Sequence, residues 1–243
     1  MAVSTTPAAR VRARRTQLPD EVAGYVREQI MSGAVRPGEF IRMEPIAEAV
    51  GVSITPVREA LLMLSSEGFV TLVPRRGFQV AEFTRQDIRD LFWAQGQLAG
   101  ELAARASKKI TREQMEQLRQ LDREAQEAIA HGDVAEIGEL GHAFHRVINR
   151  AADSDRLARL LASVVKHLPN HFYASIEAHV ASVREQHAEL LAALEKHQSA
   201  KARKIMEAHL AASADHVIAL LEERGLWGDD GAAAGDRADG VTA

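Results

Sequence analysis

Three histidines are the residues of this chain best suited to hold a metal ion. His145 lies in Ala143-Phe144-His145, His187 in Glu185-Gln186-His187 and His209 in Ala208-His209-Leu210, each within a run of helical apolar spacing. Imidazoles from three antiparallel helices can converge inside a bundle, and neutral imidazole suits Zn²⁺ and similar borderline metals. His142 lies three residues before His145, shares its helix face, and is the candidate for a fourth ligand. The plainer reading is that each histidine caps a helix, faces solvent or is satisfied in the core. Residue type alone leaves both readings open.

A second constellation lies in the tract Ile46 to Leu61. It places Ser53, Thr55 and Arg58 around the start of a helix that follows a short helix and a turn. Amides and hydroxyls at a helix N-terminus suit phosphate, and an arginine in the first turns can fork onto guanine in the major groove. The alternative is that Thr55 caps the helix and Arg58 is a solvated charge. The segment Pro74-Arg75-Arg76-Gly77 adds a doubly basic tip between two β-prone runs, which strengthens the DNA reading.

These residues require elements to hold them. Val22, Tyr25, Val26, Gln29 and Ile30 recur at helical spacing up to Gly33, and Ile46, Ala47 and Val50 form a short helix ended by Gly51. Thr55 as cap and Pro56 as first residue open a third helix, with Val57, Ala60, Leu61 and Leu64 as its buried side. Phe69–Val73 and Gly77–Val80 then read as a hairpin, completing a winged helix-turn-helix. From Thr84 to Leu226 strands vanish. Segments 86–107, 112–131, 134–152, 156–168, 172–196 and 200–224 read as helices of an antiparallel bundle, with breaks at Gly132-Asp133, Asp153-Ser154-Asp155 and Pro169-Asn170.

The fold class is therefore mainly α: an N-terminal winged helix-turn-helix over 18–82 and an all-helical domain over 83–227. Residues 1–17 have no acid and no apolar periodicity and read as a disordered basic arm; residues 228–243, rich in Gly, Ala and Asp, read as a disordered tail. Residues 1–80 carry ten arginines against eight acids in a chain of net charge −4, so the positive excess sits at the end expected to meet a polyanion. The chain has no cysteine, which excludes disulfides, thiolate metal sites and cysteine nucleophiles. Its longest stretch without Lys, Arg, Asp or Glu, His167 to Ile176, is far short of a membrane span, and the start lacks an apolar signal core. A cytoplasmic protein without membrane contact is expected.

The stretches SGAVRPGEF, AVGVS, TPVREALLML and EGFVTLVPRRGFQV, between Gly33 and Val80 or abutting it, closely resemble the N-terminal domain of GntR-type bacterial transcription regulators. The all-helical remainder resembles the ligand domain of their FadR-like branch, the FCD type. The resemblance implies a homodimeric repressor or activator whose affinity for a double-stranded DNA operator is set by a small-molecule effector. It assigns DNA contacts to Arg42, Ser53, Thr55, Arg58, Arg75, Arg76 and Gly77. In metal-binding relatives an Asp is followed four residues later by a Phe-His histidine, and one histidine comes from each of two later helices. His145, His187 and His209 match these histidines, which implies Zn, Ni or Mn as cofactor.

The departures are local. Ile54 stands where the family carries an arginine between the Ser and Thr of the recognition motif, which removes or moves a contact worth roughly 1–3 kcal/mol of base discrimination. Arg42, in the order Arg42-Met43-Glu44, is the cation available to replace it. Gly141 stands where the family has its metal-binding Asp, so either His142 or a carboxylate of the effector completes the shell, or the chain has abandoned the metal; the effector is expected to be an anionic carboxylic acid. Gln95, Ala99 and Ser154 replace further family residues, which implies an effector unlike the commonest ones or a weakly defined site. Two other functions compete. One is an architectural DNA-binding dimer without effector. The other is a zinc hydrolase with Glu139 or Glu185 as general base; no HExxH pattern, catalytic triad order or phosphate loop supports it, and an enzyme is not expected.

Overall fold

The computed structural model describes residues 7–179 and 181–227. The chain divides into two compact units, one comprising the residues up to Thr84 and those from Ala219 onward, the other Arg85–Ile218. In the first unit α1 (Pro7–Met31), α2 (Met43–Val50) and α3 (Ile54–Ser66) combine with β1 (Phe40–Ile41), β2 (Val70–Val73) and β3 (Gly77–Val80). The strands pair antiparallel in the order β1-β3-β2, with Val70 opposite Val80 and Phe40 opposite Gln79. Val22, Val26 and Ile30 of α1, Val57, Leu61 and Leu64 of α3, and Phe69, Phe78 and Val80 form the core. The spacing on both helices is the one that puts apolar residues on a single face. Gly51 turns α2 into the approach to α3 at φ 72, a left-handed conformation that glycine adopts without steric penalty.

The second unit holds α4 (Arg85–Lys109), α5 (Arg112–His131), α6 (Val134–Ala151), α7 (Asp155–Val165), α8 (Asn170–His179), α9 (Ala181–Glu195) and most of α10 (Ser199–Glu223). Thr111 and Gln114 form a reciprocal capping box at the start of α5, and the Asp133 carboxylate accepts from the Glu136 amide at the start of α6. Leu102, Leu118, Phe144, Ile148, Leu161, Leu190, Leu194 and Met206 make the shared core.

Several expectations change. Helix α1 begins at Pro7 and runs through Pro19, so residues 7–17 of the expected disordered arm are helical. Alanine, arginine and glutamine are strong helix formers, and extending an existing helix avoids the cost of nucleation. Residues 1–6 and the expected tail at 228–243 lie outside the described residues. Strand β1 is too short to show a period of two. The segment read as one helix over 172–196 is helical over Asn170–His179 and Ala181–Glu195, and Val180 between them lies outside the described residues. The chain from Ala219 onward groups with the first unit, where the Trp227 indole donates to the Phe83 carbonyl and a side chain at Gly33 would meet the Arg224 carbonyl at 3.3 Å.

Candidate functional site

Helix α3 starts two residues earlier than expected. Ser53, extended at φ −80 and ψ 169, is the N-cap, and Thr55 and Pro56 lie within the first turn. Proline is accepted there because amides of the first turn have no intrahelical partner. Thr55 is therefore not the cap, and the Ser53 hydroxyl makes no capping hydrogen bond. Ser53, Thr55 and Arg58 are all exposed, while Val57, Ala60, Leu61 and Leu64 anchor the opposite side. Arg42 is exposed at the N-cap of α2. Arg75 at φ 64 and Gly77 at φ 100 form the tight link between β2 and β3. Arg75 points its charge into solvent; Arg76 is exposed as well, its guanidinium 4.3 Å from the centre of the Phe40 ring. The helix start thus presents two hydroxyls and a cation, and the hairpin tip two cations, each held on a packed base.

The three expected histidines converge. His145 comes from α6, His187 from α9 and His209 from α10, and their ring centres lie 5.0 to 5.6 Å apart. A fourth group joins them. Glu177 of α8 places Oε1 3.7 Å from Nε2 of both His145 and His187, and one donor atom from each of the four residues lies within 4.8 Å of the others. His187 stacks on Phe144, ring centres 4.5 Å apart, which fixes the plane of its imidazole. His187 Nε2 and His209 Nδ1 are buried without a hydrogen-bond partner, in residues only 5% and 3% exposed. Buried polar atoms are rarely left so. Three imidazoles and a carboxylate are a donor set suited to Zn²⁺, Ni²⁺ or Mn²⁺, so the residues present fit the metal the family resemblance implies.

His142 is not among the four. Its ring lies 5.6 Å from that of Tyr173, and its Nε2 is buried and unpartnered. The fourth group beside the three histidines is Glu177 rather than His142, and sequence reasoning missed it. The signal available was Gly141: a glycine where a carboxylate is expected calls for a carboxylate from another helix. Glu139 and Glu185, the bases considered for a hydrolase, are exposed and outside the cluster.

A cavity of about 350 Å³ opens beside the cluster. His142, His145, Glu177 and His209 border it, Ala99, Leu161, Val165 and Ile176 give it apolar walls, and Arg146, Asn149 and Arg150 add polar groups. The Tyr173 hydroxyl lies 3.0 Å from the Val165 carbonyl and 3.2 Å from Gln95 Oε1, and burial raises its pKa, so it stays a neutral phenol.

Burial pushes His209 well below the usual histidine range and also lowers His187 and His142. Burial would raise Glu177, but His187, His145 and His209 outweigh it and hold the carboxyl at about 2. Near neutral pH the site thus presents a carboxylate anion. In metal-free protein the unfolded chain takes up protons on these histidines near pH 6.5 while the folded chain resists them. Stability should therefore be fully present above about pH 6.5 and fall as the pH drops below it. Thermal melts of chelator-treated protein between pH 7.5 and 5 check this; melting temperatures that stay level or rise towards acid contradict it.

Comparison with known proteins agrees with both units. The model of the gntR family of bacterial regulatory proteins matches residues 18–80 and that of the FCD domain residues 90–212. The chain is 28% identical over 186 residues to the HTH-type transcriptional regulator McbR of Escherichia coli K12, covering 74% of this chain and 84% of that protein. It is 24% identical over 210 residues to the HTH-type transcriptional repressor RspR of the same organism, covering 85% and 92%. The solved structure of E. coli McbR/YncC superposes with a TM-score of 0.62 at 26% identity, covering 85% of this chain and 98% of that one. A GntR regulator from Rhodococcus sp. RHA1 shares the fold at a TM-score of 0.55 and 22% identity, covering 83% and 97%. Among the described residues no helix is long and apolar enough to cross a membrane. The matched families and relatives are transcription regulators, not enzymes, and this chain belongs to the GntR family of bacterial transcription regulators, with an FCD domain as its helical effector-binding part.

Proposed function

We propose that this chain is a homodimeric repressor of the bacterial cytoplasm, nucleoid-associated when bound, whose operator affinity is set by an anionic carboxylic acid bound in the FCD domain. The observation that carries this reading is the convergence of His145, His187 and His209 beside a cavity large enough for a metabolite, which His145 and His209 border. Those three residues would hold a divalent metal, Zn²⁺, Ni²⁺ or Mn²⁺, and the metal would supply a positive charge that favours an oxygen anion in the cavity. Arg146 and Arg150, one turn apart on α6, add cationic charge along the cavity. The first unit supplies Arg42, Ser53, Thr55, Arg58, Arg75, Arg76 and the Gly77 backbone for DNA. A winged helix of this size buries limited surface, and two symmetric copies on a near-palindromic site multiply affinity.

The test begins with an operator selected from random duplexes by the purified protein. Arg58→Ala is expected to weaken operator binding by roughly 1–3 kcal/mol and to leave binding to random duplex almost unchanged. Arg75→Ala and Arg76→Ala should weaken both about equally, each reducing the salt slope by about one. Light scattering on the same complexes should give two chains per site. A carboxylic acid that shifts operator affinity supports the effector reading. Equal losses on both duplexes for Arg58→Ala, or one chain per operator, would count against the assignments. DNA binding indifferent to every acid tried, and to metal, would favour an architectural role.

A further inference from the structure

Helices α6 and α8 meet at glycine. A Cβ on Gly138 would stand 2.9 Å from the Ala174 Cβ, and one on Gly141 would stand 3.1 Å from Glu177 Cγ and 3.2 Å from Cδ and Oε1. The two contacts advance together, three residues along each helix, so the helices are in register along a close approach. Glycine inside a helix is destabilising relative to alanine, and its presence at both points makes room for the neighbouring helix.

What occupies the space beside Gly141 is a carboxylate. The Glu177 side chain is 12% exposed, and among the described residues no Lys or Arg pairs with it; its ionic neighbours are His145 and His187. On the other side of the same gap are the unpartnered buried nitrogens of His187 and His209. Burying a carboxylate that no Lys or Arg pairs with is costly unless a cation accompanies it. A water could satisfy the nitrogens but not the charge, whereas one divalent ion satisfies both.

We propose that Glu177 is the carboxylate ligand of the metal centre and that Gly141 is the position that admits it: the carboxylate expected at 141 on α6 is supplied instead from α8. This rests on the metal-binding reading above. It changes the charge of the site, because three imidazoles leave a divalent ion at +2 whereas Glu177 brings the centre to +1 before any effector arrives. It also makes α8, which carries Tyr173 and Ile176 on the cavity wall, part of the metal shell. Positions 141 and 177 are then alternatives, and a carboxylate at one relieves the need for it at the other.

The experiment measures zinc content after dialysis and zinc affinity by chelator competition on the full chain. Glu177→Gln keeps the shape and removes the charge; it should lower affinity at least roughly tenfold, the loss that even an outer-shell partner causes. Gly141→Asp combined with Glu177→Ala should regain at least roughly tenfold over Glu177→Ala alone, since the returned carboxylate occupies the vacated space. Parent-like affinity in Glu177→Gln would overturn the ligand assignment while leaving the three-histidine reading intact. No gain in the double variant would overturn the exchange between positions 141 and 177. A parent that binds no stoichiometric divalent metal would overturn the metal reading and this inference with it.

Discussion

His209→Ala is expected to leave the protein without stoichiometric metal, while His142→Ala retains it. His209 is 3% exposed, and its Nδ1 has no partner other than the donor atoms grouped with it. Removing an outer-shell partner already lowers metal affinity about 10–100-fold, and a ligand counts for more. His187→Ala should behave like His209→Ala, because the two imidazoles face each other with ring centres 5.0 Å apart. His142 lies outside the four-residue group, whose fourth member is Glu177, so its loss leaves the donor set complete. Elemental analysis of the dialysed variants, with circular dichroism to confirm helix content, separates the cases. A His142→Ala protein that loses its metal, or a His209→Ala protein that keeps it, would contradict the donor set.

Glu67→Ala should destabilise the DNA-binding unit by roughly 3–5 kcal/mol, the loss expected when one member of a buried ion pair is removed. Glu67 caps the end of α3 and pairs with Arg27 of α1; their side chains are 11% and 8% exposed. The Arg27 guanidinium also lies 5.7 Å from the centre of the Phe69 ring, and its Nε is buried without a partner. Without Glu67 a fully charged group would remain in the core that orients α3. Replacing both residues, as Arg27→Met with Glu67→Leu, should recover most of the loss, because the pair's own desolvation largely offsets its attraction. Urea denaturation of the three variants measures this. A loss below about 1 kcal/mol for Glu67→Ala would place the pair among ordinary surface bridges.

The Arg27–Glu67 pair also illustrates what sequence could not show. The two residues are 40 positions apart, and nothing in either local pattern links them. What the sequence did determine was periodic or punctuated. The buried side of α3 at Val57, Ala60, Leu61 and Leu64 followed from helical spacing, and the ends of α1, α2 and α5 from glycines that adopt positive φ. His145, His187 and His209 were legible because each sits on its own amphipathic helix and matches a family pattern.

The N-cap of α3 shows a smaller limit. Ser53 and Thr55 are both good caps, and a proline is tolerated anywhere in the first turn, so local chemistry allowed either start. The return of the chain from Ala219 onward to the first unit is a contact between distant segments.

Glu177 is the sharpest case. Its sequence neighbourhood, Ser175-Ile176-Glu177-Ala178, resembles any helical surface, and its role depends on how closely α8 approaches the glycines of α6. The sequence by itself determined the two-part architecture, the helix faces and the three imidazoles, because these depend on spacing along one chain. Only the tertiary structure decided which carboxylate completes the site, because a space left by a missing side chain is filled by whatever group the neighbouring helix brings within reach.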